Sequence, residues 1–128
     1  MIRTTLIALI VVVLAAVALC AFAQARVCAV VEEMDLLRVE AETRARAGDD
    51  MGAAECLTRL AIRWQEERAA MEMLTSHDSL HEVYSELVDA RVCLESGDFD
   101  DCYRALAQLG EALHHIREME AVSLSNLY

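Results

Sequence analysis

Two stretches decide the fold: AGDDMGAAECLTRL (residues 47–60) and SGDFDDCYRALAQL (residues 96–109), which align without a gap at an offset of 96 − 47 = 49. Gly48 matches Gly97, Asp49 matches Asp98, Leu57 matches Leu106 and Leu60 matches Leu109. Each stretch reads as a junction in which a glycine ends one helix and an aspartate caps the next. Asp50 is placed to cap the helix that follows the first junction. The echo resembles the junctions of tetratricopeptide-type repeats, but two units with so long a period are better read as two similar hairpin turns in one bundle.

Working outward from the junctions, apolar residues recur every three or four positions. Val27, Val30, Met34, Leu37 and Ala41 precede the first junction. Ala53, Leu57, Leu60, Trp64, Met71 and Leu74 follow it, and this second helix should end between residues 75 and 77. Leu80, Val83, Leu87, Ala90 and Leu94 form a third stripe, with Ser79 and Glu82 spaced as a capping box. Phe99, Cys102, Leu106, Leu109, Leu113 and Ile116 form a fourth after Gly97. Such spacing is that of amphipathic helices packed nearly antiparallel, and connections this short make neighbours antiparallel. Proline is absent, and the only glycines are Gly48, Gly52, Gly97 and Gly110, so there is little to break the helices elsewhere.

The amino-terminal part differs in kind. Residues 4–25 carry no charge, and residues 6–23 (LIALIVVVLAAVALCAFA) are an unbroken apolar run of 18, the lower bound for a bilayer-spanning helix. A cleaved secretory signal is the competing reading, since Arg3 precedes the run and Ala21-Phe22-Ala23 or Ala23-Gln24-Ala25 resembles a cleavage site. The length of the run and its passage straight into helical periodicity favour an uncleaved anchor. Leu19 before Cys20 departs from the small residue that lipoprotein signals require. Either way, the remainder is expected across the membrane.

Residues 26–128 hold ten arginines, no lysine and all 22 acidic residues, a formal charge of 10 − 22 = −12. Such a surface is a poor partner for nucleic acid or anionic headgroups. No phosphate-binding glycine loop, dinucleotide fingerprint or nucleophile elbow occurs.

The histidines are the chemically suggestive residues. His77 and His81 stand one helical turn apart in SHDSLHE (residues 76–82), and His114 and His115 lie between glutamates in GEALHHIRE (residues 110–118). If the third and fourth helices turn back at Gly97, then His81 and His114 share a level. Asp78-x-x-His81 and Glu111-x-x-His114 then mimic the carboxylate-x-x-His pairs of di-metal bundles. His77, His81 and His114 are the candidate metal ligands, and Cys28 should lie near the same level. Helical angles oppose a buried centre, because His81 and His114 sit roughly 110–120° from the middle of their apolar stripes. Of the five cysteines, Cys93 and Cys102 bracket the Gly97 turn and form the one plausible disulfide pair, while the odd total argues against full pairing.

An apolar amino-terminal helix, two Gly-Asp junctions, the series Trp64, Met71, Leu74 and His77, and the closing HIREMEAVSLSNLY (residues 115–128) together carry a resemblance. The chain resembles a bacterial family of small membrane-anchored helical proteins, the domain of unknown function 4363. The resemblance implies an uncleaved anchor facing the extracytoplasmic side, and the family brings no established activity or catalytic residues to carry over.

The expectation is therefore an all-α chain in which an N-terminal transmembrane helix continues into an antiparallel bundle of about four helices. Residues 1–25 form the anchor and residues 26–128 an acidic extracytoplasmic domain. The expected role is non-enzymatic and without cofactor: a scaffold or interaction module at the outer face of the cell membrane for a protein partner, with an integral membrane protein among the candidates. The alternative is a metal-binding or redox-sensing protein using the histidines.

Overall fold

A computed structural model describes residues 1–127, with side chains through residue 120. Its four helices are α1 (Ile2–Arg46), α2 (Asp50–Leu74), α3 (His77–Glu95) and α4 (Phe99–Leu127). Among the described residues every regular element is helical. Each helix packs on the next, and α4 closes the ring on α1.

The two matching junctions adopt the same turn. Gly48 and Gly97 take φ values of +84° and +76°. Glycine is suited to this left-handed region because it has no Cβ to clash there. The following amide reaches back over the helix end in both cases, Asp49 N–H to the Arg44 carbonyl at 2.8 Å and Asp98 N–H to the Cys93 carbonyl at 2.9 Å. This satisfies carbonyls that the helix terminus leaves without partners. Asp49, rather than Asp50, caps α2: its side chain accepts from the Gly52 N–H at 3.0 Å. The third junction uses other chemistry. Thr75 turns out in an extended conformation, and Ser76 caps α3 by accepting from the Ser79 N–H at 3.3 Å. The cap therefore falls at Ser76, three residues before the expected Ser79–Glu82 box, because His77 and Asp78 already have helical backbone.

Pairs across the bundle give its register. Arg46 lies 4.0 Å over the Tyr103 ring, Arg38 donates to the Leu106 carbonyl at 3.5 Å, and Arg117 meets Glu32 at 2.7 Å. Thus α4 climbs antiparallel beside α1. On the other side, Arg63 bonds Glu33 at 3.0 Å and Arg26 bonds Glu67 at 3.2 Å, so α2 also returns toward the apolar segment.

The core follows the sequence stripes. Trp64, Met34, Leu57, Leu60, Met71, Leu106, Leu109, Leu113 and Ile116 are fully buried. Leu74 departs from expectation at 39% exposed, because it is the last residue of α2 and the chain swings away at Thr75. Burial also reaches Val31, Ala45, Cys56, Ala105 and Ala112 beside the expected positions, since the apolar stripe of a bundle helix is wider than one row. Below Gln24 no residue of α1 is buried. Its apolar stretch is long enough to cross a membrane by length and composition, and its most apolar 18-residue window has no buried residue. The helix continues from that stretch into the bundle without interruption.

Candidate functional site

Two opposite seams of the bundle each carry a groove lined by histidine. Between α2 and α3 runs a groove of about 230 Å³ lined by Trp64, Arg68, Glu72, His77, His81 and Tyr84. It continues into an apolar stretch with Ile62, Leu87 and Val88 on its walls. Trp64 forms its floor at 1% exposed, whereas Tyr84, Ile62 and Val88 are exposed. Arg68 and Glu72 form an ion pair at 3.1 Å along its rim. Between α1 and α4 lies a second groove, lined by Glu32, Asp35, Leu36, Gly110, His114 and Arg117.

These seams separate the candidate ligands. His77 and His81 share the α2–α3 groove, and His114 lies in the α1–α4 groove on the opposite side of the ring. His114 Nε2 lies 3.1 Å from the Glu118 carboxylate one turn along its own helix. Among the described residues no three His, Cys, Asp or Glu side chains gather as metal donors. Antiparallel pairing can set His81 and His114 at one height, but their outward azimuth turns them to different faces. What remains at His77 and His81 is an i, i+4 pair, two donors where a structural zinc takes four.

The buried polar residues collect elsewhere, toward the end of the bundle nearest the apolar segment. Among the described residues they are Gln24, Glu67, Ser79 and Glu120. Glu67, 5% exposed, accepts from Arg63 at 2.9 Å and Arg26 at 3.2 Å, so a guanidinium from each of two helices compensates its charge. The Glu120 carboxyl is equally buried and has no ion pair among the described residues; burial pushes its pKa up. Cys28 lies nearby, its thiol pushed up by burial and then by the charge of Glu120. Ser79 Oγ is 2.8 Å from Ser76 Oγ and 4.0 Å from the Met119 sulfur. Such an end layer is polar inside and carries fixed charge, whereas the Gly48 end of the core is apolar.

The family model described as Domain of unknown function (DUF4363) matches residues 21–127, which is most of the chain. The chain belongs to this family. No curated protein and no solved structure matches it. The DUF4363 match begins inside the apolar run and takes in all four helices, so the family unit is the bundle together with the upper part of its apolar helix.

Sequence reading of this DUF4363 chain passed over Glu67 and Glu120. The signal was present in the stripes themselves. Leu60, Trp64 and Met71 leave position 67 as the missing step, and Leu109, Leu113 and Ile116 continue to position 120. A carboxylate on a core stripe with an arginine four residues before it, as Arg63 stands to Glu67, marks a buried pair. The five cysteines are free thiols, and Cys102 donates to the Ala90 carbonyl at 3.5 Å.

Proposed function

We propose that this chain is a single-pass membrane protein held by residues 4–25, whose acidic bundle lies outside the cytoplasm as a non-enzymatic interaction module. The observation that supports it best is the continuity of α1: one helix of 45 residues is uncovered at its apolar half and packed into the bundle at the other. A domain joined in this way has a fixed stance relative to its anchor, which suits it to hold a partner at a set height over the bilayer. The α2–α3 groove, with Trp64 as floor and Ile62, Tyr84 and Val88 exposed along it, is the surface best formed to receive an apolar helix or strand. A partner embedded in the same membrane fits this site, because α2 runs back toward the apolar segment, with Glu67 bonded to Arg26 just above it. The charge of −12 on residues 26–128 weighs against nucleic acid as the partner.

Two measurements test the reading. A periplasmic-type enzyme reporter fused after Tyr128 should be active only outside the cytoplasm, and the protein should resist carbonate extraction from membranes. A photoreactive residue at Val88 should give one discrete crosslinked species in native membranes, lost when Tyr84→Glu is added. Activity of the reporter in the cytoplasm, or carbonate release, would overturn the proposal.

A further inference from the structure

The bundle covers α1 on the side of Val27, Met34 and Ala41 and leaves the opposite side bare. The bare positions are Ala25, Ala29, Glu32, Leu36, Val39 and Thr43, all exposed, at steps of 4, 3, 4, 3 and 4. Leu36 is 71% and Val39 44% exposed, large values for aliphatic side chains on a packed helix. The same register carried down into the apolar segment falls on Thr4, Ala8, Val11, Ala15, Ala18 and Phe22. Four of those six are small, while bulky Leu6, Leu9 and Val13 lie on the opposite side of the segment. Small residues in one row let two helix backbones approach closely in lipid, and a 4-3 row sustained over this length is the seam of a left-handed coiled coil.

Charge marks the same face. All five acids of α1 are paired with arginines of the same chain: Glu32 with Arg117, Glu33 with Arg63, Asp35 with Arg38, Glu40 with Arg44 and Glu42 with Arg46. Residues 26–46 therefore sum to 4 − 5 = −1, whereas residues 77–127 sum to 3 − 11 = −8. Among the described residues no carboxylate of α3 enters an ion pair. Two copies repel one another through α3 and α4 and least through α1.

We infer that the bare face of α1 binds a second copy of this chain, in parallel, along one seam from the apolar segment to Thr43. The inference rests on the membrane reading, since anchoring is what turns both copies the same way and confines them to one plane. A two-fold axis along α1 sets each row against its own equivalent, so the seam needs no other partner. Glu32, the one charged position in it, brings its Arg117 along, and the two pairs alternate in sign across the axis, which fixes register as a single polar seam residue does in coiled coils.

The test uses the full chain in native membranes. Leu36→Cys under copper-phenanthroline oxidation should give a disulfide-linked dimer several-fold above the unsubstituted chain, whose five cysteines set the baseline. Val92→Cys, exposed on α3, should stay at that baseline. Leu36→Arg should reduce proximity energy transfer between labelled copies by at least fivefold while leaving the melting temperature unchanged, because the side chain is not in the core. Equal crosslinking from Leu36→Cys and Val92→Cys, or undiminished transfer in Leu36→Arg, overturns the inference. Carbonate release of the chain overturns the membrane reading instead, and Leu36→Cys dimers in that released fraction would leave the seam standing without it.

Discussion

Glu67 and Arg26, 41 residues apart in sequence, meet at 3.2 Å where α2 comes level with the start of the packed part of α1. With Arg63 at 2.9 Å, the buried carboxylate has two cationic partners. Removing one partner of a buried pair costs more than removing the charge altogether, because the remaining ion keeps its desolvation penalty. Arg63→Ala should therefore lower stability by about 2 kcal/mol, and Glu67→Met by less. Urea unfolding of both variants in detergent, followed by helicity, checks the order.

Trp64 fills the middle of the core beneath the α2–α3 groove at 1% exposed. Trp64→Ala should cost about 3–5 kcal/mol from lost burial and the cavity left behind. A loss under about 1 kcal/mol in urea titration would place the indole in solvent and contradict the packing.

Glu120 should make stability depend on pH. Its pKa is raised in the folded state by burial, so its contribution is full below the unfolded carboxyl pKa and is lost as pH rises through the folded value. Glu120→Gln should remove that part of the decline and raise the melting temperature above the ordinary carboxylate range, with little change in acid. Melting curves at several pH values, compared with Glu111→Gln as an exposed control, read the difference.

At Gly48 and Gly97 a Cβ would meet nothing within 4 Å, so only the backbone opposes a side chain there. Each glycine-to-alanine change should cost about 1–2 kcal/mol, the left-handed penalty. The two losses should add, since the turns are in separate hairpins. Thermal melts of the single and double variants test both points.

The histidines should be dispensable for folding. His81 and His114 are exposed, and replacing both with Gln should leave helicity and melting temperature unchanged. Added zinc should bind weakly and shift the melt little, since a ligand stabilises as RT ln(1 + [L]/Kd). A large zinc-dependent shift that vanishes in the double variant would restore a metal role.

Local chemistry made the junctions readable: left-handed glycine followed by aspartate is a signal carried within a few residues, and it recurs at Gly48 and Gly97. The stripes were readable for the same reason, because burial repeats with the helical period. Cap positions shifted by one to three residues, at Asp49 and Ser76, where neighbouring aspartate and serine side chains compete for the same free amides. Which histidines share a face was not readable from height alone. It depends on the rotation of each helix about its axis, set by the whole ring of contacts. Glu67 and Glu120 were hidden because a charged residue on an apolar stripe looks like a gap until the partner helix supplies its environment.

The unbroken passage of α1 from apolar segment to bundle has a mechanical meaning. With residues 4–25 in a bilayer, the packed part of α1 is a stiff arm of about 30 Å, at 1.5 Å per residue. A thinner bilayer makes a span tilt, and a tilt of about 20° swings the far end of such an arm sideways by roughly 10 Å. No flexible joint intervenes to absorb the motion. Under the proposed anchoring, membrane thickness would thereby be converted into lateral travel of the Gly48 turn.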